Sequence, residues 1–392
     1  MTLKVYDDDG TIRVHEIEKT YDSIDTKEIK FIEADTKESN LIQLIKAFYT
    51  EQKAILFDKN NKVIYENLHN LDLSRFCNYP FSFIYFTSGT TGSPIGALKT
   101  KENLLSEIQE LSKILEQYKI KRVIVTVPFI HFYGSLLGAL FALENNIDII
   151  IKEHFLPNDL LNLCEDNSMV VTTPLYIKSL NRLESKKNLS KSIFISSTAP
   201  LFPDIAKEFN QNFNTNIIQL FGSTETGGIA YKYNNEELWT PLNLVSISQN
   251  SQGELKVTSP FVSNILFEDK FTTTHGSIQT FDYIEKDGEK FKLIGRSSQI
   301  IKMAGKRYST IQIENILENE ATIEKAIVYV TTNKDALRGE ELNITLQSKK
   351  QITAKDIKKI LKQQLENIRF SINLKIVDEI KTTSVGKKML IQ

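Results

Sequence analysis

Between Thr100 and Tyr118, leucine and isoleucine recur at positions 104, 105, 108, 111, 114 and 115. That spacing of three and four predicts an amphipathic helix, with Thr100 as its N-cap. Short apolar runs at 123–127, 147–151, 169–172, 193–196 and 216–219 alternate with stretches of helical spacing. Brief, fully apolar strands separated by helices predict a parallel sheet covered on both faces, an α/β architecture. Upstream, Leu3–Ile17 predicts a hairpin about Asp9-Gly10 and Asn40–Gln52 a short helix. Ala54–Phe57 and Val63–Tyr65 predict strands about Lys59-Asn60-Asn61. Residues 230–295 are richer in strand pattern, with Gly253 and Asp287-Gly288 at turns. Ile311–Glu318 and Asp356–Glu366 predict helices beside short strands, a smaller α+β unit.

The stretch Val123–Leu143 is nearly all apolar and long enough to span a bilayer. It also contains Thr126, Pro128, His131, Gly134 and Ser135, which predict a buried strand (Val123–Val127), a loop and a core helix instead. Gly134 and Gly138 then mark close packing, and no membrane span is expected. At 392 residues the chain exceeds one compact core. Its 41% hydrophobic and 25% charged residues are ordinary for a globular protein. A net charge of −1 argues against a dedicated nucleic-acid binder. The charge is uneven: from Ser297 onward there are 17 Lys and Arg against 11 Asp and Glu, and before it 31 against 38. A basic small unit facing an acidic large one suits phosphates or an acidic protein partner. Cys77 and Cys164 have no metal spacing and suggest a reducing compartment, the cytoplasm. Met1-Thr2-Leu3-Lys4-Val5 running into Asp7-Asp8-Asp9-Gly10 does not read as a signal peptide.

Four patches carry candidate chemistry. Tyr85-Phe86-Thr87-Ser88-Gly89-Thr90-Thr91-Gly92-Ser93-Pro94 follows an apolar run and predicts a tight loop whose amides and hydroxyls suit a phosphate. No lysine follows Gly92, so it is not a Walker A loop. The lesser alternative for this run alone is an ordinary Ser/Thr/Gly connector. The others are Gln219-Leu220-Phe221-Gly222-Ser223-Thr224-Glu225-Thr226-Gly227, the run from Gln279-Thr280-Phe281-Asp282 through Leu293-Ile294-Gly295-Arg296 to Ile301–Arg307, and Thr382-Thr383-Ser384-Val385-Gly386-Lys387-Lys388-Met389. In that order they resemble the phosphate loop, the YGxTE segment, the TGD and hinge segments and the lysine loop of the adenylate-forming (AMP-binding) superfamily. That superfamily includes acyl- and aryl-CoA synthetases, peptide-synthetase adenylation domains and luciferases. The resemblance covers about residues 81 to 390.

The resemblance implies a large multi-layer α/β N-terminal domain with parallel sheets, 1–295, whose N-terminal subdomain, about 1–80, is shortened. A small α+β C-terminal lid, 297–392, would carry the catalytic lysine and turn about Ser298. Thr87, Ser88, Gly89, Thr90, Thr91 and Gly92 would hold the ATP phosphates. Ile95 replaces the family's lysine, and Lys99 is the nearby cation that would compensate. Phe221 would stack on adenine beside Gly222, Ser223 and Thr224, and Glu225 would hold Mg²⁺. Ser196–Leu201 resembles GGAPL, so Ser197, Thr198 and Ala199 would line the nucleotide. Asp282 would bind the ribose hydroxyls with help from Arg296. Pro128–Gly134 resembles P-x-x-H-x-x-G, which places His131 near the acyl carboxylate and Phe132, Tyr133 and Gly222 in the substrate pocket. Lys387 is the catalytic candidate and Lys388 its alternative. The implied activity is ATP-dependent activation of a small-molecule carboxylic acid, fatty, aromatic or amino, to an acyl-adenylate with release of pyrophosphate, then thioester formation with CoA. The phosphopantetheine of an acyl carrier protein is the alternative acceptor, and a non-catalytic nucleotide- or acyl-binding module is the rival outside enzymology. The expected state is monomer or homodimer, and the acid is unspecified.

Overall fold

The computed structural model describes residues 1–18, 28–33, 35–87, 94–296, 300–303, 306–332, 340–365, 371–382 and 388–389. Two units emerge: Met1–Ile247 with Val257–Ile278, and Ser248–Lys256 with Gln279–Gln392.

The first unit is built on a nine-stranded sheet in the order Thr240–Pro241, Gly227–Tyr233, Asn216–Ser223, Ile193–Ser196, Ser168–Thr172, Arg122–Val125, Asp148–Lys152, Thr2–Tyr6, Ile12–Glu16. From Asn216–Ser223 to Thr2–Tyr6 all neighbours are parallel, and the outer pairings are antiparallel. The central strands are apolar throughout because both faces are covered. On one face Ile124, Val170, Phe194 and Ile217 pack with Leu160, Ile177, Phe209 and Phe213. The three helices that bring those residues, Pro157–Leu163, Pro174–Asn181 and Pro203–Phe213, each open with a proline at the first turn, where a missing N–H costs nothing. On the other face, Leu111, Leu115 and Leu137 line a small cavity together with Ile195, Ile218 and Leu220. Leu111 and Leu115 come from the predicted amphipathic helix, here Lys101–Leu115, whose N-cap Thr100 forms a reciprocal capping box with Asn103.

The apolar stretch after Arg122–Val125 turns back through a π-helical segment, Gly134–Leu140, into Phe141–Glu144. A Cβ on Gly134 would lie 2.2 Å from the Pro128 carbonyl oxygen, and one on Gly138 2.7 Å from Val125. The glycines therefore serve close packing. Among the described residues no helix is long and apolar enough to cross a membrane.

A second sheet runs Lys270–Thr273, Ile265–Glu268, Ile95–Lys99, Phe83–Thr87, Ala54–Leu56, Lys30–Ile32. Thr87 pairs with Ile95, so the glycine- and hydroxyl-rich run joins two neighbouring antiparallel strands. One expectation fails here. Val63–Tyr65 is not a strand but part of the helix Lys62–His69. The Asn61 side chain accepts from the Ile64 N–H and starts the helix, and Ile64 and Leu68, one turn apart, are the buried positions. The helix expected at Asn40–Gln52 spans Lys37–Tyr49, capped by Thr36.

A four-stranded sheet, in the order Ser246–Gln249, Glu254–Thr258, Ser277–Asp287, Lys290–Arg296, supplies most of its residues to the second unit, where Ile300–Met303 pairs antiparallel with Lys306–Ser309. A three-stranded sheet follows: Lys325–Thr332 antiparallel to Glu340–Gln347, itself parallel to Ser371–Val377. Helices Thr310–Glu318 and Ala354–Gln364 lay Ile313, Leu317, Ile357 and Leu361 against Ala326, Leu342, Ile344 and Leu346. This is the α+β arrangement expected.

Candidate functional site

The turn between Asn216–Ser223 and Gly227–Tyr233 carries Thr224 and Glu225, both half-exposed. Its shape is fixed locally. The Ser223 N–H donates to Thr226 Oγ1 (3.0 Å), the Thr226 N–H donates to Ser223 Oγ (3.1 Å), and Thr226 Oγ1 donates to the Gly227 carbonyl (2.8 Å). Gly222 must be glycine, since a Cβ there would sit 2.3 Å from the Gly227 oxygen. Gly227 has φ +71°, a conformation that disfavours a side chain. Across the site, Thr87 ends its strand with Oγ1 donating to Glu225 Oε1 at 3.1 Å. Thr87 and Glu225 are therefore brought together. Among the described residues no group of three His, Cys, Asp or Glu could hold a metal ion. A lone half-exposed carboxylate does suit magnesium, which keeps waters and completes its shell with phosphate oxygens.

Lys99 does not reach outward as a substitute for the lysine missing at Ile95. Its side chain is fully buried, and its ammonium donates to the carbonyl oxygens of Phe261 (2.6 Å) and Glu225 (3.4 Å).

Phe221 is half-buried at the start of the same turn, and its ring lies 5.6 Å from that of Trp239, centre to centre. Trp239 is the chain's sole tryptophan and has Lys232 over its ring at 4.8 Å. Ser197 Oγ donates to the Leu220 carbonyl (2.9 Å), tying residues 197–199 to the strand that leads into Phe221. Thr198 stands at φ +78°, where β-branched residues are strained, and Ala199 is exposed. His131 is half-buried, its carbonyl accepting from the Ser135 N–H. Phe132 is an interior residue: its ring sits edge-on to Tyr85 (5.3 Å) and under the Lys99 ammonium (4.8 Å). The Tyr133 hydroxyl donates to the carbonyls of Thr172 (3.1 Å) and Ile195 (2.8 Å), bridging two strand ends, and burial pushes its pKa up. Both aromatics brace the loop that bears His131.

In the second unit Asp282 and Arg296 face one another across the hairpin Ser277–Asp287/Lys290–Arg296. Arg296 Nε donates to Asp282 Oδ1 at 3.3 Å, and the Asp282 N–H donates to Thr280 Oγ1. Burial raises the Asp282 carboxyl pKa, and the Arg296 charge opposes it. Phe281, where the family has glycine, is 57% exposed. Lys388 is committed to structure: its ammonium meets Glu314 Oε2 (2.7 Å), Glu318 Oε1 (2.6 Å) and the Ala326 carbonyl (2.7 Å). Ser88, Gly89, Thr90, Thr91, Gly92, Ser298 and Lys387 lie outside the described residues.

The sequence pattern of the family described as AMP-binding enzyme matches residues 21–254. The chain belongs to the AMP-binding enzyme family. It is 26% identical over 287 residues to "Probable CoA ligase CCL5" of Humulus lupulus, covering 64% of this chain and 52% of that one. The chain thus spans about half the length of that relative. It is 25% identical over 343 residues to "Putative long chain fatty acid-CoA ligase VraA" of Staphylococcus aureus strain COL, covering 81% and 71%. Its fold matches that of o-succinylbenzoate CoA synthetase from Bacillus subtilis in complex with an acyl-adenylate intermediate, with TM-score 0.75, 16% identity, and 92% and 86% coverage. This AMP-binding enzyme also holds groups that motif reading missed. Glu107 is a buried carboxylate whose Oε1 accepts the Gly228 N–H at 2.8 Å. It and Lys99 come together only in the fold. Trp239 meets Phe221 through the pairing of three strands, which no local spacing signals.

Proposed function

We propose that this AMP-binding enzyme activates a carboxylic acid with ATP and transfers the acyl group to a thiol. The observation that carries this reading is the Thr87–Glu225 hydrogen bond, which joins the end of the phosphate-loop strand to the carboxylate of the second motif. In the first step a carboxylate oxygen attacks the α-phosphorus of ATP, and the bond to the bridging oxygen of pyrophosphate breaks. Residues 87–92 would hold the β- and γ-phosphates, and Phe221 and residues 197–199 the adenine. Magnesium bound at Glu225 would supply charge neutralisation on the phosphates. Asp282 would accept from the ribose hydroxyls, and the Arg296 contact opposes the burial that raises its pKa. Lys387 would offset the charge building between carboxylate and phosphate. His131 would border the reacting carboxylate. In the second step a thiolate sulfur attacks the acyl carbon and AMP leaves, with the unit after Ser298 turning to admit the thiol and exclude water.

The acceptor this reading favours is CoA, in keeping with the names of the relatives. The Lys- and Arg-rich sequence from Ser297 onward supports a second reading, phosphopantetheine on an acidic carrier protein. The free thiols of Cys77 and Cys164 support a cytoplasmic setting. Carboxylate-dependent ATP–pyrophosphate exchange across fatty, benzoic, cinnamic and amino acids tests the first step. A hit names the acid class. Silence with ATP still bound moves the reading to a nucleotide-binding module. Product analysis with CoA against a loaded carrier protein separates the two acceptors.

A further inference from the structure

Two opposite charges lie buried under the Glu225 turn, and neither belongs to a motif. Lys99 ends the strand Ile95–Lys99, which leaves the phosphate loop. Glu107 lies on the helix Lys101–Leu115 that follows. Lys99 is 0% exposed and Glu107 3%. The ammonium takes hold of the turn at one end, through the Glu225 carbonyl, and of the neighbouring loop through the Phe261 carbonyl. The carboxylate takes hold at the other end, through the Gly228 N–H. Its second oxygen has no hydrogen-bond partner among the described residues and fills the space a Cβ on Gly227 would need, 2.6 Å away. The Lys99 ammonium also underlies the Phe132 ring, next to His131. Burial disfavours both charges, lowering the Lys99 pKa and raising that of Glu107, and each charge opposes the shift in the other.

An ordinary core would fill this space with apolar side chains, which is seldom less stable than a buried pair. The pair's contacts instead converge on the main chain on either side of Glu225. We propose that Lys99 and Glu107 are positioning residues that fix the Glu225 turn against the phosphate-loop strand, so that carboxylate and phosphates meet magnesium in one geometry. This deepens the proposed function and rests on the reading of Glu225 as the magnesium ligand.

The test uses the full chain and two readouts. One is the thermal shift produced by ATP at varied Mg²⁺. The other is pyrophosphate exchange, with separate constants for Mg²⁺, ATP and acid. Lys99→Met is expected to raise the Mg²⁺ concentration for half-maximal shift about tenfold and the KM for ATP severalfold, leaving the KM for acid within twofold. Glu107→Gln keeps an acceptor for the Gly228 amide and is expected to lose less. Should Lys99→Met fail to fold, the double variant Lys99→Met/Glu107→Met removes both charges and is expected to fold with the same weakened Mg²⁺ response. A folded single or double variant with unchanged Mg²⁺ and ATP constants overturns the proposal. Glu225→Gln is the control: if it too leaves the Mg²⁺ response unchanged, the reading of Glu225 has failed rather than the role of the pair. The thermal-shift arm needs no acid, so it decides even if every acid is silent.

Discussion

The Thr87 hydroxyl donates to a carboxylate oxygen of Glu225 at 3.1 Å, across 138 residues of sequence. Among the described residues the hydrogen bond engages Oε1 and not Oε2. A hydrogen bond to an ionised group contributes about 1.5–3 kcal/mol. Thr87→Val is therefore expected to lower adenylation about 10- to 100-fold, and Thr87→Ser to retain most of it. Glu225→Gln is expected to cost about 10²–10³ in exchange rate, the usual scale for losing one preorganised charge contact. Steady-state pyrophosphate exchange checks both. Equal activity of Thr87→Val and wild type would dissolve the link between the two motifs.

The two adjacent tail lysines are separable by stability. Lys388 neutralises Glu314 and Glu318, whose side chains are 14% and 10% exposed. Lys388→Ala strands two nearly buried carboxylates and is expected to destabilise the second unit by about 3 kcal/mol. Lys387→Ala is expected to leave melting unchanged and abolish acid-dependent exchange. Calorimetric melting beside the exchange assay checks the pair. If Lys387→Ala retains full exchange, its catalytic assignment is wrong.

The large architecture was legible because both of its signals are periodic. Leu104, Ile108, Leu111 and Leu115 repeat at helical spacing, and the runs at 169–172 and 193–196 are apolar because helices cover both faces. Lys62–His69 was misread because Val63, Ile64 and Tyr65 favour strands locally, whereas the cap at Asn61 and the burial of Ile64 and Leu68 decide. Motif order brought Thr87, Phe221 and Glu225 into one reading. The supports beneath them were not legible. Lys99 read as a phosphate-facing substitute for the lysine absent at Ile95 and Glu107 stood in no motif, yet both are interior. Phe132 also backs Lys99 and Tyr133 also ties strand ends, contacts that no local spacing signals. Such roles depend on contacts made far along the chain.

Thr198 stores strain where the resembled motif has glycine. At φ +78° an L-residue costs about 1–2 kcal/mol, and the Thr198 hydroxyl has no hydrogen-bond partner among the described residues to offset it. Thr198→Gly gives back about 0.5–1 kcal/mol in backbone entropy. The net expectation is a gain near 1 kcal/mol, about 2–4 °C in melting temperature. Residues 197–199 are proposed to line the nucleotide, and removing this side chain would open that space, so the KM for ATP is expected to fall or hold. A lower melting temperature would show that the threonine makes a contact worth more than the strain.

Lys37 provides a pH-dependent test of the nine-stranded sheet. The residue is 8% exposed, and its ammonium donates to the carbonyls of Thr126 and Lys152, both at 3.1 Å, at the ends of two central strands. Burial lowers its pKa from 10.5 to about 8, with the Glu153 charge opposing. The folded state therefore releases this proton before the unfolded state does. Between pH 8 and 10.5 the unfolded chain holds more protons, so stability rises with pH across that window. Below pH 8 both states are protonated and the full cost of burying the charge is present. The relief on crossing the window is on the order of 3 kcal/mol. Lys37→Met lacks the titration, which separates it from the other lysines. The stability of wild type relative to Lys37→Met is expected to be flat from pH 6 to about 8 and to climb towards 10.5. Urea unfolding of both proteins at matched pH values checks this. A difference that stays constant through pH 10 would mean that Lys37 titrates alike in the folded and unfolded chain.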